Sequence, residues 1–227
     1  MTNIAIFGAG GRAGRAVSAE ARLRGHSVTA VVRHPDRHPD IPSAVRGDVT
    51  DPASVSAVVR GHDAVVHAVS PASGPRELAT VDLDPEFFTK AAGALLHGLS
   101  RAGVPRLIVI GLFANLTDAR GRLLLDDPAV LPAELRPFAL AHTAGLDRLR
   151  AARTTVDWLV LTPPIALRAD GARTGRYEIG GDVAPDPALA HLSYADLAVA
   201  TVDEIETPRH HRCRVSIFNG TATGGRR

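Results

Sequence analysis

Short apolar, β-favouring runs recur at Ile4–Phe7, Val28–Val32, Ala64–Val69, Leu107–Ile110 and Trp158–Leu161. Both alternating positions of each run are apolar, which suits strands covered on both faces rather than strands with one wet side. Helical patterns lie between them. Ala13, Val17 and Ala21 recur at fourfold spacing and predict a helix from Arg12 to Arg24, ended by Gly25. A short strand over Ala44–Arg46 is followed by Asp51 and Pro52, a cap and a first-turn proline for a helix that Gly61 stops. Further helices are expected over Pro85–Ala102 and Phe138–Arg153. "SYADLAVATVDEIE" carries Ser193 and, three residues on, Asp196, a capping-box spacing, and "RCRVSIFNG" reads as a late strand. This alternation predicts an α/β architecture: a doubly wound, mostly parallel sheet with helices on both faces.

Two stretches break the rhythm. "LFANLTDARGRLLLDDPAVLPAELRP" after Gly111 reads as an active-face loop with one short helix. Residues 162–192, with "IALRADGARTGRYEIGGDVAPDP", read as a small excursion with a hairpin over the crevice. The expected organisation is a single domain over 1–220, with a flexible Gly/Arg-rich tail at 221–227.

Composition narrows the partners. A chain of 227 residues is long enough for one sizeable core. The formal net charge is +2 and the arginines are scattered, which excludes the dense basic surface of a nucleic-acid binder. No apolar run reaches the roughly 18 residues needed to span a bilayer, and no signal-peptide series opens the chain, so a cytoplasmic protein without a membrane partner is expected. Cys213 cannot form an intrachain disulfide; Arg212, Arg214 and His211 would lower its pKa, but it reads as a residue entering the late strand. His210, His211 and the distant His191 lack metal-ligand spacing, so no metal is expected.

The segment "IAIFGAGGRAGRAVSAEARLRGHSVTAVVR" carries the candidate chemistry. Gly8, Gly11 and Gly14 lie three apart, with Gly10 between, after an apolar strand and at the start of a helix. Glycines there let the chain turn sharply and let backbone amides approach a pyrophosphate, while the helix points its positive end at the same anion. Arg12 and Ala13 complete the turn. At the end of the second strand stand Arg33 and then Arg37, in place of the carboxylate that accepts from ribose hydroxyls in NAD sites. That favours NADP(H) over NAD(H), with Arg12 approaching the 2′-phosphate from the other side and Asp36 as the acidic alternative. Asp48 and Val49 are candidates for the adenine edge and its cover. Ala68, Val69 and Ser70 should pass the ribose and pyrophosphate, with His67 as a structural histidine. Thr162 and Pro163 should pass beside nicotinamide.

That segment, with "GDVTD", "DWLVLTPP", "RTGRY" and "SYADLAVATVDEIETPRHHRCRVSIF", resembles the atypical short-chain dehydrogenase/reductase group. Within that group the chain is similar to the small NADH-flavin reductase, NmrA-like and biliverdin reductase B-like proteins. The resemblance covers nearly the whole chain and implies a Rossmann-like fold that binds NAD(P)H. By the family label it also implies reduction of a flavin, taken as substrate rather than as a tightly bound cofactor.

In the wider short-chain dehydrogenase/reductase superfamily that this resemblance points to, the typical members use a tyrosine proton donor and a lysine four residues later. Here Phe138 and His142 hold that spacing, so the dyad is absent. Hydride transfer to a flavin, a quinone or a similar flat conjugated small-molecule acceptor asks mainly for alignment. His142 is the candidate catalytic residue, and Phe113, Asn115, Arg173 and Tyr177 are candidate substrate contacts, the last two as a lid. Two other functions compete: a non-catalytic NAD(P)-sensing regulator of NmrA-like type, and a sugar epimerase-like enzyme. Homo-oligomerisation is left open by the sequence.

Overall fold

A computed structural model of the chain describes residues 1–71, 82–186 and 190–219. Its centre is an eight-stranded sheet. In chain order its elements are β1 (Asn3–Phe7), α1 (Arg12–Leu23), β2 (Ser27–Val32), β3 (Val45–Arg46), α2 (Pro52–Val58), β4 (Ala64–His67), α3 (Phe87–Ala102) and β5 (Arg106–Ile110). Then come α4 (Arg136–Arg150), β6 (Asp157–Thr162), β7 (Leu167–Arg168), β8 (Glu178–Gly180), β9 (Leu192–Ser193), α5 (Tyr194–Glu206) and β10 (Cys213–Phe218). The order across the sheet is β3-β2-β1-β4-β5-β6-β10-β8, parallel throughout except that β8 runs antiparallel to β10. This is the doubly wound, mostly parallel arrangement that the strand–helix alternation predicts.

The apolar runs follow from burial on two faces. Ile4 and Ile6 of β1 face a core shared with α1 and α5, built on Val17, Ile108, Leu159 and Leu197. Ala5 and Phe7 face the opposite core, under α2, α3 and α4, with Leu95, Leu99, Leu107 and Trp158. Helices that cross between parallel strands run back against them, so their amino ends gather at the carboxyl edge of the sheet.

Several boundaries differ from expectation. α4 begins two residues early at Arg136 because Pro137 fits a first helical turn, and it ends at Arg150. α3 starts at Phe87 rather than Pro85, β4 stops at His67, and α2 ends at Val58, before Gly61. Ser193 caps α5 as expected, accepting from the Asp196 N–H at 2.9 Å. Asp196 does not reach back to close the box: its carboxylate accepts instead from the Thr174 and Gly175 N–H groups, each at 2.8 Å. The excursion is corrected most. Among the described residues it forms no hairpin of its own; β8 joins the main sheet and β7 pairs in parallel with β9. The expected tail lies outside the described residues.

The amino edge of the sheet is held by ion pairs, of which Arg106–Glu204 is buried on both sides. Arg106 of β5 reaches Asp157 of β6 at 2.6 Å and Glu204 of α5 at 2.9 Å, and His210 meets the same Glu204 at 2.6 Å. Arg24, just past α1, bridges Glu20 at 2.7 Å, Asp203 at 2.6 Å and Glu206 at 2.8 Å.

Candidate functional site

The glycine turn is built as its spacing suggests. Gly8 has φ of 84°, and a Cβ there would meet the Ala68 carbonyl oxygen at 2.6 Å, so β1 and the end of β4 close on each other only around glycine. A Cβ on Gly14 would run into Gly8 and stand 2.8 Å from Ala9 Cα, which seats α1 directly against the turn. Gly11 precedes the helix in extended conformation, no side chain caps it, and the first turn carries no acid. No acidic side chain of the helix's own first turn offsets the amides at the start of α1. These residues fit the pyrophosphate of a dinucleotide: amide donors, a helix dipole and a floor with no side chains in the way.

The Arg12 guanidinium lies over the ring of Tyr194, the first residue of α5, 5.3 Å from the centroid. The ends of β2 and β3 line a separate hollow. An open cavity of ≈ 410 Å³ is bordered by Arg33, His34, Arg46, Gly47, Asp48 and Ser54. Arg46, which sequence reasoning passed over, belongs to this rim because β3 is two residues long and ends beside β2. Arg33 and Arg37 are exposed. Among the described residues neither is in an ion pair. Asp48 is held below the usual carboxylate range chiefly by the Thr50 hydroxyl at 2.7 Å, and Val49 is buried behind it. Val69 packs on the α3 core, and Ala68 holds β1 through its N–H to the Phe7 carbonyl at 2.9 Å. A second hollow, of ≈ 460 Å³ between α1 and Asp40–Pro42, lies on the outer flank of the helix.

On the other side of the crevice, α3, α4 and the turn after β5 bring aromatic rings around His142. Its imidazole lies 4.4 Å from the Phe88 ring centroid and 6.0 Å from that of Phe138. Asn115 Nδ2 faces His142 Nδ1 at 3.3 Å, and Thr143 Oγ1 meets Asn115 Oδ1 at 3.2 Å. Asn115 is itself fixed: its carbonyl accepts from the buried Arg214 of β10, whose Nε holds Asp182 at 2.7 Å. Burial pushes His142 down to about 4, so near-neutral titration, the reason it stands out in the sequence, is corrected: this imidazole is neutral at physiological pH.

His67, at the end of β4, is buried, and its Nδ1 has no hydrogen-bond partner among the described residues. Burial, and then the nearness of His142, pushes it down to about 3. Phe113 lies in a 3₁₀ turn and packs with Ala114, Leu125, Leu131 and Ala139. Thr162 is fully buried at the end of β6 and packs on Gly111. Pro163 follows it.

Two expectations fail on geometry. Arg173 grips Glu20 with Nε at 2.7 Å and Nη2 at 2.8 Å, and the Tyr177 hydroxyl donates to Asp203 at 2.6 Å. Glu20 and Asp203 lie in the later turns of α1 and α5, toward the amino edge, so neither side chain is a lid over the crevice. Cys213 is also corrected: burial raises its thiol pKa, and the neighbouring basic residues do not make it reactive. Among the described residues no group of three or more His, Cys, Asp or Glu is placed to hold a metal. No helix among them is long and apolar enough to cross a membrane.

Strand order, glycine turn and uncapped helix end together define a dinucleotide-binding protein of the Rossmann class. A family model described as NAD(P)H-binding matches residues 8–208, and the chain belongs to that family. It is 32% identical over 221 residues to the uncharacterized protein YwnB of Bacillus subtilis, covering 95% of this chain and 98% of that one. Among solved structures, SP1627 of Streptococcus pneumoniae, provisionally named an NADH-flavin reductase, is 30% identical with a TM-score of 0.78, covering 96% of this chain and 100% of that one. A Bacteroides thetaiotaomicron protein provisionally named an epimerase is 32% identical with a TM-score of 0.82, covering 97% of this chain and 98% of that one.

Proposed function

We propose that the protein is an NADPH-preferring reductase that passes hydride to a flat conjugated acceptor such as a flavin or quinone. The observation that carries this reading is the pairing of a glycine-lined helix start with a neutral imidazole, His142, packed against the buried rings of Phe88 and Phe138. Bound at the turn, the reduced dinucleotide supplies a hydride from its nicotinamide ring. The chain's own work is placement. Gly8, Gly10, Gly11, Arg12, Ala13 and Gly14 hold the pyrophosphate; Arg33 and Arg37 face the 2′-phosphate; Asp48 and Val49 meet the adenine; Ala68, Val69, Ser70, Thr162 and Pro163 border the ribose and nicotinamide.

Phe113, half-buried after β5, offers apolar surface to a planar ring, and His142, backed by the buried Phe88 ring, offers a hydrogen bond to the oxygen or nitrogen that gains negative charge. A neutral imidazole stabilises that charge without needing to release its own proton, so water completes the protonation. This explains how Phe138 can stand where related enzymes hold a tyrosine.

The same substitution supports a second reading, a non-catalytic NAD(P) sensor. One assay separates them: anaerobic NADPH oxidation with FMN, riboflavin and a small quinone in turn, with Gly14→Val as control. Acceptor-dependent turnover that is lost in the variant supports the reductase. NADPH binding without turnover on any of the three supports the sensor.

A further inference from the structure

The segment from Pro35 to Ala44 crosses the glycine turn and is tied to it in two places. Asp40 pairs with Arg15, whose Nε donates to the Gly10 carbonyl at 2.9 Å. Beside that tie the His38 ring presses on Gly10 itself: a Cβ on Gly10 would stand 2.6 Å from His38 Nε2 and 2.8 Å from Nδ1. The imidazole thus occupies the space that any side chain at position 10 would take. His38 is half-buried, and among the described residues none is hydrogen-bonded to its ring.

In this fold the 2′ position of the adenosine ribose falls between the end of β2 and the glycine turn. Arg33 stands at the β2 side and Arg37 in the short turn after it. His38 stands at the opposite side, on Gly10. Asp40 is neutralised by Arg15, which leaves Asp36 as the segment's remaining carboxylate.

We propose that His38 is the third member of the 2′-phosphate seat, reaching it from the glycine-turn side, and that position 10 is glycine to admit its ring. The inference rests on the reading of this turn as an NADPH seat. It adds a nitrogen donor that no arginine at the end of β2 can supply from that direction, and it makes cofactor choice depend on a contact between two loops.

The test is calorimetric binding to the intact protein, using ADP-ribose and its 2′-phosphorylated form as probes, at one fixed ionic strength. The unsubstituted protein should bind the phosphorylated probe more tightly. His38→Ala should weaken the phosphorylated probe about tenfold and leave ADP-ribose within about twofold. Gly10→Ala should push the ring away and reproduce that loss, and the double variant should lose little more, because both changes remove one contact. His38→Gln, which keeps a donor, should retain part of the discrimination should the glycine variant not fold. An unchanged affinity ratio in His38→Ala, or an equal loss for both probes, overturns the role of His38 while leaving the dinucleotide seat intact. Failure of the unsubstituted protein to bind either probe overturns the seat itself.

Discussion

The side-chain amide of Asn115 faces His142 Nδ1 at 3.3 Å, and so decides which imidazole nitrogen is left for the crevice. With the amide nitrogen donating, Nδ1 accepts and Nε2 carries the proton. Because Arg214 holds the Asn115 carbonyl, the orientation is anchored in the sheet rather than in the loop. Asn115→Ala should leave NADPH affinity unchanged and lower acceptor turnover about tenfold, the cost of one misdirected hydrogen bond. Nitrogen-15 spectra of His142 should show the Nε2–H tautomer in the unsubstituted protein and a mixture in the variant.

Gly14→Val places a branched side chain where even a Cβ meets Gly8 and Ala9 backbone. Nucleotide binding should be lost, and overpacking should cost about 1–3 kcal/mol of stability. Calorimetry beside a urea titration checks both, and a folded variant that still binds NADPH would contradict the placement of the turn.

His67 is buried neutral with its pKa pushed down to about 3, against about 6.5 for the unfolded chain. The unfolded state therefore binds more protons as pH falls below about 6.5, and the stabilising difference is full above that value and shrinks below it. By linkage, folding stability should drop by about 2 kcal/mol between pH 7 and pH 5 on account of this residue. Urea midpoints across that window should fall less steeply for His67→Val.

Tyr177→Phe removes the hydroxyl bonded to Asp203 but touches nothing in the crevice. Stability should fall by about 1 kcal/mol, and the KM for NADPH and for acceptor should stay as they are. A change in either KM would restore the lid that the sequence suggests.

The fold was legible because its signals are local. Strands buried on both faces are apolar on both alternating sets of positions, as Ile4–Phe7 of β1 and Trp158–Leu161 of β6 are, and the glycine turn sits directly after the first of them. The crevice was legible only in part. "RTGRY" looks like a ligand clamp, but the partners of Arg173 and Tyr177, Glu20 and Asp203, are 153 and 26 residues away, and no short-range pattern announces such pairs. The neutrality of His142 comes from burial, to which Phe88 on another helix contributes its ring, and the anchor for Asn115 comes from a strand 99 residues on. The contact of His38 with Gly10 is hidden in the same way, inside a loop whose histidines and prolines look interchangeable.

The ion-pair clusters of Arg106 and Arg24 gather at one edge of the sheet, and the glycine turn lies at the other. The bracing and the ligand-facing turn are thus built from separate residues. The loops that choose a cofactor or an acceptor can therefore drift in sequence without loosening the frame, and proteins with this chain's skeleton are free to diverge in what they reduce, or in whether they reduce anything.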